Sequence, residues 1–174
     1  MKTLVISGGS SGIGKATASL FAERGWRVFE LSRHGGEEAK VERFEAKDAG
    51  EIIHVFCDVC SEESCHAAIE EVWRQTDHVD VVISNAGYGI SGPIEFSDIP
   101  AAEHQMDVNF MGAVRFTQAV LPQLRQQRRG RIIYTSSVAA ILAVPYQSFY
   151  SASKAAINAF ALALANEVRE FGIS

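Results

Sequence analysis

The sequence predicts an α/β protein built on a parallel sheet, and three observations carry that prediction. Short apolar runs of strand length stand at residues 4–6, 26–31, 52–56, 79–84 and 131–136. Stretches with helical periodicity separate them, and strands that alternate with helices form a parallel sheet. Polar or glycine-rich residues follow the runs: Ser7 to Gly14, Asp58, Asn85 and Ser136-Ser137. These are the carboxyl ends of the strands, where such sheets bind their ligands.

The first run is short and apolar, as in a buried parallel strand. Ser7-Gly8-Gly9-Ser10-Ser11-Gly12-Ile13-Gly14 follows it at once. A helix is expected over 15–24, stopping at Gly25. Glycines between a strand and a helix let backbone approach a pyrophosphate, and the helix N-terminus supplies free N–H groups. The competing reading is a tight strand–helix turn. The second strand ends at Ser32-Arg33. An acid here suits the ribose hydroxyl of NAD and an arginine suits the phosphate of NADP. Arg33 favours NADP, with NAD the alternative. Glu30, on the same strand face as Ser32, competes. Residues 34–50 read as a charged connection with one short helix.

The third strand closes at Cys57-Asp58-Val59. Ser61 caps a helix reaching about Gln75, with Glu63 and Ser64 competing for the capping-box position. The fourth strand precedes Asn85-Ala86-Gly87. Residues 88–97 form a loop with Pro93. One long helix is expected over 98–127, carrying Asn109 and kinked at Pro122.

After the fifth strand come Ser136 and Ser137, a loop with Pro145, and an alanine-rich helix over 148–171 that stops at Gly172. Tyr150 and Lys154 lie four apart, on one helix face. A free tyrosine titrates near 10, and bringing it to neutrality takes roughly 3 units, about 4 kcal/mol of differential interaction. A neighbouring ammonium favours the phenolate. Such a tyrosine can serve as a general acid–base, with Ser136 or Ser137 beside it to hold a carbonyl oxygen. By themselves, Tyr150 and Lys154 also fit an ordinary surface helix.

Composition limits the partners. The 174 residues suffice for one domain with a real core. A net charge of −5 without a basic stripe argues against nucleic acid. No apolar run reaches membrane-spanning length. The chain enters its first strand without a signal peptide, so the expected location is the cytoplasm. Cys57, Cys60, Cys65 and His66 are close in sequence and suggest zinc. No second ligand pair with metal spacing appears, so reduced thiols and no metal are expected.

Together these motifs resemble the short-chain dehydrogenases/reductases over essentially the whole chain, as a single dinucleotide-binding domain, residues 1–174. The resemblance implies a Rossmann-type doubly wound parallel sheet lacking the family's last two strands. Gly8, Ser10, Ser11, Gly12, Ile13 and Gly14 match the family's cofactor loop, with serine where threonine is usual. Asp58-Val59 looks like its adenine-contacting pair, and Asn85-Ala86-Gly87 matches its Asn-Ala-Gly. Asn109, Ser137, Tyr150 and Lys154 match its catalytic tetrad, and the spacing to Tyr150 selects Ser137 over Ser136.

The implied activity interconverts a carbonyl and a secondary alcohol. Tyr150 exchanges a proton with the substrate oxygen, which Ser137 holds. Lys154 binds the nicotinamide ribose and lowers the phenol's pKa. Asn109 positions a water. Members usually continue through two more strands, so residues 131–136 are expected to form an exposed apolar edge. The implied assembly is a homo-oligomer through the helices at 98–127 and 148–171, the latter carrying Ala152, Ala155, Ala156, Ala159 and Ala163. The loops at 88–97 and 139–146 suit a hydrophobic substrate pocket. A nucleotide-binding module without catalysis is the alternative from another class.

Overall fold

A computed structural model describes residues 1–35, 40–43 and 50–174. Among the described residues six strands form one sheet: β1 (Thr3–Ser7), β2 (Arg27–Ser32), β3 (Lys40–Arg43), β4 (Glu51–Phe56), β5 (Val81–Ser84) and β6 (Arg131–Tyr134). Their order is β3-β4-β2-β1-β5-β6, all parallel except β3, which runs antiparallel to β4. Five α-helices among the described residues flank it: α1 (Gly12–Glu23), α2 (Glu62–Gln75), α3 (Ile99–Met106), α4 (Gly112–Gln127) and α5 (Ser148–Val168).

Alternation along β1 divides the core between the two faces of the sheet. Leu4 and Ile6 pack with Ala18 and Ala22 of α1. Val5 faces the other way, among Ile69 and Val72 of α2, Phe116 and Val120 of α4, and Leu164 of α5. Successive side chains of a strand point to opposite faces, so a central strand covered on both must be apolar throughout. All five residues of β1 are buried. The sheet is doubly wound, as expected.

Two expectations are corrected. Residues 40–43, inside the stretch read as a connection with a short helix, form β3. A short, charged strand suits a sheet edge, where unpaired backbone must be kept from other chains. The rest of that helix expectation falls at 36–39 and 44–49, outside the described residues. The helix at 98–127 is not one α-helix: Asp107–Met111 forms a π-helical turn between α3 and α4. The irregularity therefore surrounds Asn109, while Pro122 sits within the uninterrupted span of α4. π turns insert a residue into the ladder and re-aim a side chain.

Smaller details agree or shift. Gly25 and Gly172 have φ of 83° and 70° and end α1 and the turn after α5. Ser61 Oγ accepts from Ser64 N–H at 3.1 Å, so Ser64 holds the disputed cap register. β6 ends the strand order and its residues alternate between exposed and half-buried, Ile133 being 42% exposed. Beside it, Ile173 bridges Gly130 in parallel, and Ile132 N–H donates to the Ser174 carbonyl at 2.8 Å.

Candidate active site

The glycine loop lies where β1 hands over to α1. Gly8 has φ of +67°, and a Cβ there would meet Ala86 Cα at 2.7 Å. Asn85 ties the strand ends together. Its Nδ2 donates to the Gly8 carbonyl at 3.0 Å, and Thr135 Oγ1 donates to its Oδ1 at 3.1 Å. Ser7 Oγ accepts from the N–H groups of Asn85 and Ala86 at 3.1 and 3.2 Å. The ends of β1, β5 and β6 are thus fixed by side chains as well as by the ladder. Above them opens a cleft of ≈ 750 Å³, within the range of small-molecule and cofactor sites.

The cleft gathers most of the residues expected from sequence. Ser10 to Gly14 line it, with Ser32 and Arg33 from the end of β2, Asp58 and Val59 after β4, and Ala86 and Gly87 after β5. Tyr150 and Lys154 enter from α5. Arg33 is exposed at the rim. Glu30, the competing candidate, is not among the cleft residues: it is buried, with Oε2 3.0 Å from His54 Nδ1 and accepting from Ser32 Oγ at 3.3 Å. Its partners draw it under the loop, where a Cβ on Gly9 would strike its Cγ.

Lys154 is buried, and its Nζ donates to the Thr135 carbonyl at 2.8 Å. It lies 5.8 Å from the ring centroid of Tyr150. Burial pulls its pKa below the usual lysine value, because desolvation disfavours the ammonium. Ser137 is half-buried, and its Oγ accepts from Ala139 N–H at 3.1 Å, capping the 3₁₀ turn at Val138–Ala140. It is absent from the cleft lining.

Asn109 is buried and clamps the loop after β5. Its Oδ1 accepts from Tyr88 N–H at 2.9 Å, and its Nδ2 donates to the Tyr88 carbonyl at 2.8 Å and to Ser153 Oγ at 3.0 Å. Asn109→Ala leaves the Tyr88 N–H unpaired, which costs about 1–3 kcal/mol. The expected result is a lower urea midpoint at unchanged slope. An unchanged midpoint would show that this clamp does not hold the loop.

Sequence reasoning missed Ser153, Thr135, Gln105 and His34 as members of this neighbourhood. Ser153 lies between Tyr150 and Lys154, so its position in the motif was the available signal. Gln105, whose Nε2 donates to the Tyr88 carbonyl at 3.1 Å, gave none.

The cysteine cluster does not converge. Cys57 and Cys65 are buried in the core, where Cys65 Sγ donates to the Asp58 carbonyl at 3.8 Å, and the neighbouring Cys65 thiol together with burial pushes the Cys57 thiol up. Cys60 turns towards Asp107. Burial and the neighbouring Asp107 carboxylate raise its pKa to about 12. His66 approaches Glu62 at 3.9 Å on the outside of α2. Among the described residues, the group of potential metal ligands that does come together is Cys60, His104 and Asp107.

Fold and cleft define a class: a Rossmann-type α/β protein whose cleft crosses the carboxyl ends of its parallel strands. The chain belongs to the short chain dehydrogenase family, whose model matches residues 2–174. It is 39% identical over 170 residues to a 3-ketodihydrosphingosine reductase of Bacteroides thetaiotaomicron, covering 98% of this chain and 60% of that protein. It is 36% identical over 176 residues to retinol dehydrogenase 8 of Bos taurus, covering 99% and 56%. An NAD⁺-bound xylitol dehydrogenase superposes with a TM-score of 0.88 at 28% identity, covering 99% of this chain and 66% of that one. The chain therefore spans less than two thirds of the length of these two curated relatives. Among the described residues no helix is long and apolar enough to cross a membrane.

Proposed function

We propose that this chain carries the cofactor and catalytic centre of an NADP(H)-dependent oxidoreductase that interconverts a carbonyl and a secondary alcohol. The observation that carries the reading is convergence. Tyr150 and Lys154 on α5 line the same cleft as the glycine loop at the N-terminus of α1. The residues fit a dinucleotide. Backbone N–H groups at the start of a 12-residue helix face the cleft, and a Cβ at Gly12 would meet nothing within 4 Å, so the approach is bare. Asp58, Val59 and Asn85 to Gly87 would hold the remainder.

When bound, the nicotinamide supplies the hydride. Tyr150 gives its phenolic proton to the substrate oxygen in reduction and accepts it back in oxidation. Lys154 stabilises the phenolate that results. Ser137 donates its hydroxyl proton to the same oxygen, since its bond with Ala139 N–H uses only a lone pair. Asn109 seats a water between Lys154 and solvent. The support for this last role is Gly87, where a Cβ would lie 3.0 Å from Asn109 Oδ1 and 3.4 Å from Lys154 Nζ.

The proposed substrate is apolar. Support comes from Phe96, Ile141, Leu142 and Tyr146, all exposed on the two loops beside the cleft, and from the sphingoid-base and retinol relatives. Exposed Ala152, Ala155, Ala159 and Leu162 on α5 support a homo-oligomer through that helix.

Fluorescence titration of the chain with NADPH and NADH tests the cofactor. NADPH is expected to bind more tightly. A charge-assisted bond contributes ~1.5–3 kcal/mol, so Arg33→Ala should weaken NADPH by roughly 10–100-fold and leave NADH unchanged. Equal losses for both would remove Arg33 as the phosphate reader. The second reading, a binding module without turnover, is favoured by the open substrate side. Cofactor binding without turnover over a panel of apolar ketones and alcohols would support it.

A further inference from the structure

We propose that Cys60, His104 and Asp107 form a binding site for a thiophilic divalent cation of the zinc type at the rim of the cleft. The three residues come from different places. Cys60 lies in the turn after β4, His104 in the last turn of α3, and Asp107 in the π turn. Each offers one ligand atom, and all three atoms lie within 4.8 Å of one another. Thiolate, imidazole and carboxylate form a donor set suited to zinc and cobalt, whereas magnesium and calcium require oxygen.

The geometry is within reach of side-chain rotation. Bonds of ~2.0–2.3 Å place two donors on a tetrahedral ion about 3.3–3.7 Å apart, so the widest pair must close by roughly 1 Å. His104 is exposed, and the Cys60 thiol and the Asp107 carboxylate already lie within 4.8 Å of each other. Arg115 supplies an outer shell: its NH2 donates to Asp107 Oδ1 at 2.7 Å and its NH1 to the Val59 carbonyl at 3.2 Å. Outer-shell partners of this kind orient the ligand carboxylate. Three protein ligands leave the fourth position to water, as in open zinc sites.

An ion here ties the turn carrying Asp58 and Val59 to α3. His104 also packs against Tyr88, ring centroids 6.1 Å apart, so the ion bears on the loop that Asn109 clamps.

Titration of the full chain with Co²⁺ tests the site without reference to turnover or to cofactor binding. Wild type should develop a thiolate-to-cobalt charge-transfer band together with intense tetrahedral d–d bands. Cys60→Ser should abolish the charge-transfer band. His104→Gln and Asp107→Asn should each weaken cobalt by at least the roughly 10–100-fold that outer-shell changes cost. Zn²⁺ should displace the cobalt and a large excess of Mg²⁺ should not.

A second measurement needs no variant: Zn²⁺ should protect Cys60 of the folded wild type from alkylation, followed by peptide mass spectrometry. Absence of a thiolate band, a band that survives Cys60→Ser, a cobalt affinity unchanged by His104→Gln, displacement by Mg²⁺, or unprotected Cys60 would each overturn the proposal.

Discussion

Replacing Tyr150 with Phe should lower turnover of a carbonyl substrate by ~100- to 10,000-fold, the contribution of a positioned general acid–base. The substitution removes one oxygen and the proton it carries and leaves the ring. The ring meets the ammonium of Lys154 at 5.8 Å and lies against Gly89, where a Cβ would be 3.4 Å from it. Packing is therefore kept, and NADPH affinity should change by no more than about twofold. Two assays separate the outcomes: steady-state turnover and fluorescence titration of the reduced cofactor. Turnover equal to that of wild type would end the acid–base role of Tyr150. Loss of cofactor affinity together with turnover would instead place the phenol in cofactor binding.

Replacing Gly14 with Ala should cost both stability and cofactor binding. A Cβ at Gly14 would lie 2.2 Å from the Gly8 carbonyl oxygen and 2.5 Å from Asn85 Nδ2. One neighbour is backbone, and the other is the amide that joins β5 to β1, so neither can yield cheaply. Overpacking of this kind costs about 1–3 kcal/mol, read as a fall in melting temperature of roughly 2–10 °C at this chain length. Because the loop must part from Asn85, NADPH affinity should fall at least about tenfold, the equivalent of ~1.4 kcal/mol. Gly92→Ala is the control: a Cβ there would meet nothing within 4 Å, so stability should stay within about 0.5 kcal/mol. Equal effects at the two positions would remove the steric explanation.

Much of this site was legible because its motifs sit on short, strongly patterned elements. A strand that must be apolar on both faces announces itself, and a glycine run after it can hardly be anything but the strand–helix turn. The i,i+4 spacing of Tyr150 and Lys154 is a property of any helix, so their shared direction needed no tertiary information. Asn109 was legible only as a position. That its amide clamps the Tyr88 backbone follows from the π turn at Asp107–Met111, and no local pattern encodes that turn. The edge strand at Lys40–Arg43 was hidden for a related reason. Its pairing with β4 is long-range, and a run of three charged residues and one valine carries no strand signal of its own.

The sequence by itself determined the order of the five parallel strands along the chain, the glycine turn and the Tyr150–Lys154 face, because each rests on local periodicity or spacing, while the doubly wound sheet was implied by the resemblance to the family. Tertiary structure alone decided that Glu30 is drawn beneath the loop by His54 and Ser32 while Arg33 stays at the rim. It alone turned Cys60 away from Cys57 and Cys65 and towards His104 and Asp107. The physical reason is the same in both cases. A side chain's partner is set by which element packs against it, and residues 24 positions apart, as Glu30 and His54, or more than forty, as Cys60 and His104, leave no trace of that packing in either local pattern.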